Sequence, residues 1–316
     1  METFIVTNLP KKLELFGIDR SQNEDLILIQ ESYIGAYLDT ISEFLENEKI
    51  TVNSDLIQLL TQCNKNIIKK LIEEKIIPKS GLSISLQAIT DVVYHLCHTY
   101  ISKNTLGDPS INQKKIVSVI KNLIVITHLA KEKIAESLLR SIQDHMNILI
   151  YGYSIHVIYS LIYARKKGKT FTVFVANSGE KDNSQKIIEI LKKNDVDCKL
   201  ILGVSIGFYL SKIDIVLSGA DAVCENGGIV NKMGTYTTAI CAKNFKKQLY
   251  VLVDSLKYLK IYALDQTDLN SNLENLNLDE GIDDFTPSEF INLFFTEKGI
   301  FTPSAICDEI IQLFYS

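Results

Sequence analysis

The spacing of apolar positions changes character near residue 145 of the 316-residue chain. Before that point they recur at helical intervals: Ile29, Tyr33, Tyr37, Ile41 and Phe44; then Leu56, Leu60, Cys63, Ile67 and Leu71; then Ile116, Ile120, Leu123, Thr127, Ala130, Ile134 and Leu138. Stripes of that period predict a helical domain over residues 1–145. The polar stretch Ser102 to Gln113, which holds Gly107 and Pro109, reads as a loop between two of the helices. Beyond residue 145, short runs rich in β-branched and aromatic residues alternate with helical stretches. The strand candidates are residues 147–151, 170–176, 198–204, 213–218 and 248–253. All are nearly continuous apolar runs, as a sheet covered on both faces requires. This predicts a doubly wound, Rossmann-like α/β domain with a mostly parallel sheet over residues 146–316, and a ligand crevice at the C-terminal ends of its strands.

The end of the chain is well punctuated. Thr286-Pro287-Ser288-Glu289 has the form of a capping box with proline at the first helical position, and Thr302-Pro303 should start the last helix in the same way. Residues 147–164 carry no charged side chain, yet they include Gly152, Ser154, His156 and Ser160. A buried strand, a turn and a helix start fit them better than a membrane span. The first residues, METFIVTNLPKKLELF, lack the charged start, apolar run and cleavage site of an export signal.

The richest stretch chemically is GADAVCENGGIVNKMGTY, residues 219–236, between a predicted strand and a predicted helix. Gly227 and Gly228 permit tight turning and close backbone approach, while Asn231, Lys232 and Thr235 gather donors at a helix N-terminus, where a phosphate or carboxylate would be welcome. Neither of the common nucleotide-binding glycine patterns occurs in the chain. An anion here would be held differently.

This stretch resembles the signature of a family that comprises the alpha, beta and delta regulatory subunits of eukaryotic translation initiation factor 2B and two isomerases, of ribose-1,5-bisphosphate and of methylthioribose-1-phosphate. Residues 251–266 (VLVDSLKYLKIYALDQ) and 284–316 (DFTPSEFINLFFTEKGIFTPSAICDEIIQLFYS) are similar to the alpha branch of that family. The resemblance runs nearly without a break from about Asn147 to the last residue.

The two branches of the family imply different chemistry. The isomerases pair a cysteine after the first strand with the aspartate of a GAD motif. Here the aspartate is Asp221, but the cysteine's place falls within Ile150-Tyr151-Gly152-Tyr153-Ser154, and no cysteine lies between Cys97 and Cys198. A phenol with a pKa of about 10 replaces poorly a thiol near about 8.5 in proton transfer. The isomerases' arginine-bearing segment after the second strand reads Asn177-Ser178-Gly179-Glu180, and their aspartate after the third strand falls in Gly203-Val204-Ser205-Ile206. A non-catalytic regulatory subunit is therefore expected. The alternatives are an isomerase with a relocated acid–base partner, for which Tyr153 is the visible candidate, and a free-standing metabolite sensor.

The resemblance implies that Tyr153, Ser154, Asp221, Asn231, Lys232 and Lys257 line a pocket for a sugar phosphate or nucleoside monophosphate, with no other cofactor. It implies a homodimer through the C-terminal domain, association with the beta and delta subunits, and binding of the phosphorylated alpha subunit of initiation factor 2, which inhibits nucleotide exchange under stress.

Composition agrees with this picture. A net charge of −5 and a sequence pI near 5.6 argue against a nucleic-acid surface. The six cysteines are scattered without a C-x-x-C pair, so reduced thiols in the cytoplasm are expected, with neither a disulfide framework nor a zinc site. The histidines show no metal-ligand spacing and read as core or surface residues. Between Ile261 and Glu297 there are nine acidic residues and no lysine or arginine, which reads mostly as a solvated loop.

Overall fold

The computed structural model describes residues 8–9, 29–47, 54, 58, 73, 81–104, 107–177, 183–268 and 283–315. The predicted helix through Leu56, Leu60, Cys63, Ile67 and Leu71 lies outside the described residues, as do Ser178-Gly179-Glu180 and positions 269–282 of the acidic window. The chain forms two compact units, Met1–His128 with Asn275–Asn277, and Leu129–Glu274 with Leu278–Ser316.

The described part of the first unit is helical. Helix α1 (Ile29–Asn47) and α3 (Pro109–Leu139) fall on two of the apolar stripes, with the described Tyr37, Ile41 and Phe44 all buried on α1, and α2 (Gly81–Lys103) is a further helix for which no stripe was read. The Tyr37 hydroxyl lies 2.7 Å from Thr90 Oγ1 and ties α1 to α2. Helix α3 opens with proline behind Asp108, whose carboxylate accepts from the Ser110 N–H at 2.8 Å. The two compact units divide inside α3, between His128 and Leu129. The reason is the last turns of that helix, whose Ala130, Ile134 and Leu138 pack into the core of the second unit.

That core belongs to a seven-stranded sheet. In chain order its strands are β1 (Met146–Tyr151), β2 (Phe171–Asn177), β3 (Asp197–Leu202), β4 (Ile215–Ser218), β7 (Gln248–Leu252), β10 (Leu293–Thr296) and β11 (Gly299–Phe301). Their order in space is β11-β10-β7-β4-β1-β2-β3, parallel except for the β10–β11 pair. The reversal of strand order at β1 and β4 makes this a doubly wound sheet. Ile148 and Ile150 of β1, Val173 and Val175 of β2, Leu217 of β4 and Phe295 of β10 share one core with Val157 and Leu161 of helix α4 (Ile155–Lys166) and Ile187 and Leu191 of helix α5 (Ser184–Lys193). The uncharged run of residues 147–164 splits, as expected, into β1, a turn and the start of α4, and no helix among the described residues is long and apolar enough to cross a membrane.

Residues 219–236 do more than cross from strand to helix. They contain a hairpin, β5 (Ala222–Cys224) and β6 (Ile229–Lys232), that joins β8 (Tyr258–Leu259) and β9 (Asp283–Thr286) in a second, four-stranded sheet ordered β8-β5-β6-β9. Gly227 turns the hairpin with φ +74°, and a Cβ on Gly228 would stand 2.4 Å from the Phe285 ring. A single helical turn, α6 (Ile206–Tyr209), precedes β4, and helix α7 (Thr235–Asn244) follows β6.

The expected helix start at Thr286-Pro287-Ser288-Glu289 is corrected. Thr286 ends β9, residues 288–290 make one 3₁₀ turn without a side-chain cap, and β10 begins at Leu293. The apolar run that follows supplies Phe294 and Phe295, both buried beside β7, and this burial overrides the local capping signal. The second Thr-Pro start holds: helix α8 (Pro303–Tyr315) opens at Pro303, and the Ala305 N–H donates to Thr302 Oγ1 at 3.3 Å.

Candidate functional site

The site forms where the C-terminal ends of β1 and β4 meet the second sheet. After β1, Gly152 turns the chain at φ +70°, and Ser154 caps α4 by accepting from the Val157 N–H at 3.5 Å. Gly219, after β4, lies so close that a Cβ there would be 2.5 Å from Ser154 Oγ. The Asn231 amide donates to Ser218 Oγ at 3.2 Å and Thr235 Oγ1 at 3.1 Å, joining β4, β6 and α7. Lys257, itself buried, donates to the Ala220 carbonyl at 3.0 Å. Lys232 Nζ lies 3.5 Å from Asp221 Oδ2 and 2.6 Å from Asp283 Oδ1. Five of the six residues singled out from sequence therefore converge on the segment Ser218 to Asp221. Tyr153 differs, since its ring packs against the core of the large sheet.

Four participants were missed. Asp283 and Asp284 come from the acidic window; instead of lying in a solvated loop they form the start of β9 and are largely buried. Asp284 Oδ2 accepts from the Gly234 N–H at 2.7 Å and the Tyr236 N–H at 3.1 Å, so the α7 N-terminus holds an anion that belongs to the protein itself. Its other oxygen, Oδ1, is buried and has no hydrogen-bond partner among the described residues. His156 and Asp254 form a buried pair, Nε2 to Oδ2 at 2.9 Å, although 98 positions separate them. Their pairing has no local sequence signal. For Asp283 and Asp284 the signal was a lysine-free window, which charge counting alone assigns to solvent.

The electrostatics follow from burial. Loss of water pushes the Asp284 carboxyl up to about 6, against the pull of its two N–H donors. Burial raises Asp283 too; Lys232 opposes this and nearby Asp221 reinforces it. For Lys232, burial works against the charged form, but Asp221 and Asp283 outweigh it and hold the ammonium above its ordinary value. For Asp254, burial raises the carboxyl, and the hydrogen bond from His156 with the Lys257 charge more than reverses it, leaving it below the usual range.

Beside this cluster a mostly apolar cavity of about 390 Å³ opens at the ends of β1, β2 and β3, lined by Tyr151, Asn177, Gly203, Thr237, Thr238 and Cys241 among others. It lies where a doubly wound sheet places its crevice. The six predicted residues do not line it. Tyr151 separates the two regions: its hydroxyl donates to the Met233 carbonyl at 2.7 Å and would lie 1.9 Å from a Cβ on Gly234. Among the described residues, no group of three His, Cys, Asp or Glu side chains could hold a metal ion.

A doubly wound sheet whose β1 and β4 end against a small second sheet, with an Asp-Asn-Lys cluster at that junction, defines the α/β class of this chain. The chain belongs to the Initiation factor 2 subunit family, whose model matches residues 35–303. It is 34% identical over 255 residues to translation initiation factor eIF2B subunit alpha of Dictyostelium discoideum, covering 73% of this chain and 78% of that one. It is 34% identical over 179 residues to the eIF2B subunit alpha of Caenorhabditis elegans, covering 54% and 59%. Its fold is that of a chain in the tetrameric eIF2B-beta2-delta2 complex from C. thermophilum, with a TM-score of 0.76, 17% identity and coverage of 99% and 95%.

Proposed function

We propose that this chain is the alpha-type, non-catalytic regulatory subunit of the exchange-factor complex that acts on translation initiation factor 2. In this reading it works in the cytoplasm and forms a homodimer through its α/β domain. The dimer joins the beta and delta subunits and takes part in inhibition by phosphorylated initiation factor 2 under stress. The observation that carries the reading is the turn after β1. Where an isomerase needs a thiol facing the GAD aspartate, Ser154 is used to cap α4, the Tyr153 ring packs on the core, and Asp221 faces Lys232. The alpha subunits among the relatives support the choice of branch. The Ser218 to Asp221 cluster is retained as a pocket for a sugar phosphate or nucleoside monophosphate, held rather than converted.

The test is affinity purification of the tagged chain from its own cells, followed by mass spectrometry. Near-stoichiometric recovery of the other exchange-factor subunits is the expected result. Recovery of the chain alone, together with interconversion of ribose-1,5-bisphosphate and ribulose-1,5-bisphosphate that Tyr153→Phe abolishes, would overturn the proposal in favour of an isomerase.

A further inference from the structure

A phosphate needs a cation that is free to receive it, and Lys232 is already engaged. Its ammonium donates to Asp283 Oδ1 at 2.6 Å and lies 3.5 Å from Asp221 Oδ2. The Lys232 side chain is 37% exposed whereas that of Asp283 is 5% exposed, so of the two partners the lysine is the one that borders solvent. With both carboxylates ionised the trio carries a net charge of −1. The second lysine does not change the balance, because Lys257 is buried and turned to the Ala220 carbonyl, with Asp254 nearby. Asp284 occupies the other anion-binding element, the N–H groups at the start of α7. Two neighbouring carboxylates on β9 thus take the two positions that an external anion would use.

We propose that Asp283 is a built-in competitor for the anion subsite at Lys232: it takes the ammonium's charge, so that this chain binds phosphorylated small molecules weakly and Asp283 sets how weakly. The inference rests on the reading of the cluster as a sugar-phosphate or nucleoside monophosphate pocket. It makes the strand that bears Asp283 part of the ligand specificity. A phosphate reaches Lys232 by displacing Asp283 or by meeting it protonated, and in either case the carboxylate's charge opposes the ligand's. Replacing that carboxylate by an amide of the same shape removes the opposition and leaves the ammonium in place.

The experiment is isothermal titration of ribose 5-phosphate, with ribose as the uncharged control, into the full chain and three variants at pH 7.5. The variants are Asp283→Asn, Asp283→Ser and Asp283→Asn combined with Lys232→Met, each checked for a cooperative melt. The expected result is at least tenfold tighter binding of ribose 5-phosphate to Asp283→Asn or Asp283→Ser, no gain for ribose, and loss of the gain when Lys232 is also replaced. Equal affinity in the wild type and both Asp283 variants, lost in the variant that combines Asp283→Asn with Lys232→Met, would overturn the competitor and leave the pocket reading intact. Absence of binding in every form would overturn both. A gain shared by ribose would also overturn the proposal, since it could not come from charge.

Discussion

The two sheets of the α/β unit are built on opposite plans. The seven-stranded sheet is a slab of apolar side chains, its central strands buried over most of their length. The four-stranded sheet has strands of two to four residues and carries Asp221, Asn231, Lys232, Asp283 and Asp284 on or beside them. The first gains its stability from burial, which is non-directional and tolerates substitution of similar shape. The second depends on particular donor–acceptor pairs, each of which fails if one partner is removed. Stability and binding capacity are therefore separable here, and substitutions in the two sheets should differ in kind as well as size.

The largest effect should come from the slab. Phe295 is fully buried in β10, its ring centroid 5.4 Å from that of Tyr250. Phe295→Ala should cost about 3–5 kcal/mol in a denaturant titration, with little dependence on pH. A loss below about 1 kcal/mol would mean that β10 contributes little to the core.

The polar region should respond with a pH signature. His156→Leu leaves Asp254 buried without its partner and should cost about 3 kcal/mol at pH 7. In the wild type Asp254 lies below its ordinary value of 3.8, so its contribution is complete above that value and is lost as pH falls through the lowered one. In the variant burial dominates, the carboxyl moves up, and stability should improve from pH 7 to pH 5. Denaturant midpoints at the two pH values check this; an equal loss at both would reduce the pair to packing.

Asp284 gives the opposite sign to wild-type Asp254. Its folded value of about 6 lies above the ordinary 3.8, so its contribution is complete below 3.8 and is lost as pH rises through about 6. The wild type should lose about 2 kcal/mol from this group between pH 4 and pH 7. Asp284→Asn keeps an acceptor for the Gly234 and Tyr236 N–H groups and should remove that part of the slope. If the two stability–pH curves run parallel, the carboxylate is better solvated than its surroundings indicate.

The same division explains what could be read in the sequence. Strands β1, β2 and β4 were visible because each is a continuous run of residues suited to burial on both faces. Tyr258–Leu259 is too short to show any period, and β6 finds its partner β9 only across the acidic window, Lys232 opposite Asp283. Asp283 and Asp284 look like solvated acids until Lys232 and the start of α7 are brought to them. Ser154, Asp221, Asn231, Lys232 and Lys257 could be found because a resemblance pointed to them. The Thr286-Pro287 signal misled because a local cap is worth about 1 kcal/mol, less than the burial of the two phenylalanines that follow.

The smallest predicted effect separates the structural part of the site from its binding part. Ser154 Oγ accepts from the Val157 N–H at 3.5 Å, a long bond, and it sits against Gly219 with no room for anything larger. Ser154→Ala keeps the Cβ and removes the acceptor, so it should cost about 0.5 kcal/mol, at the low end for a helix cap. If Ser154 serves only as a cap, titration of ribose 5-phosphate into the Asp283→Asn background should be unchanged by it. A severalfold weaker affinity at the same small stability loss would instead place the hydroxyl on the ligand, which would turn from capping to binding when the pocket fills. Either result locates the edge of the pocket, because Ser154 stands so close to Gly219 that a Cβ there would meet it.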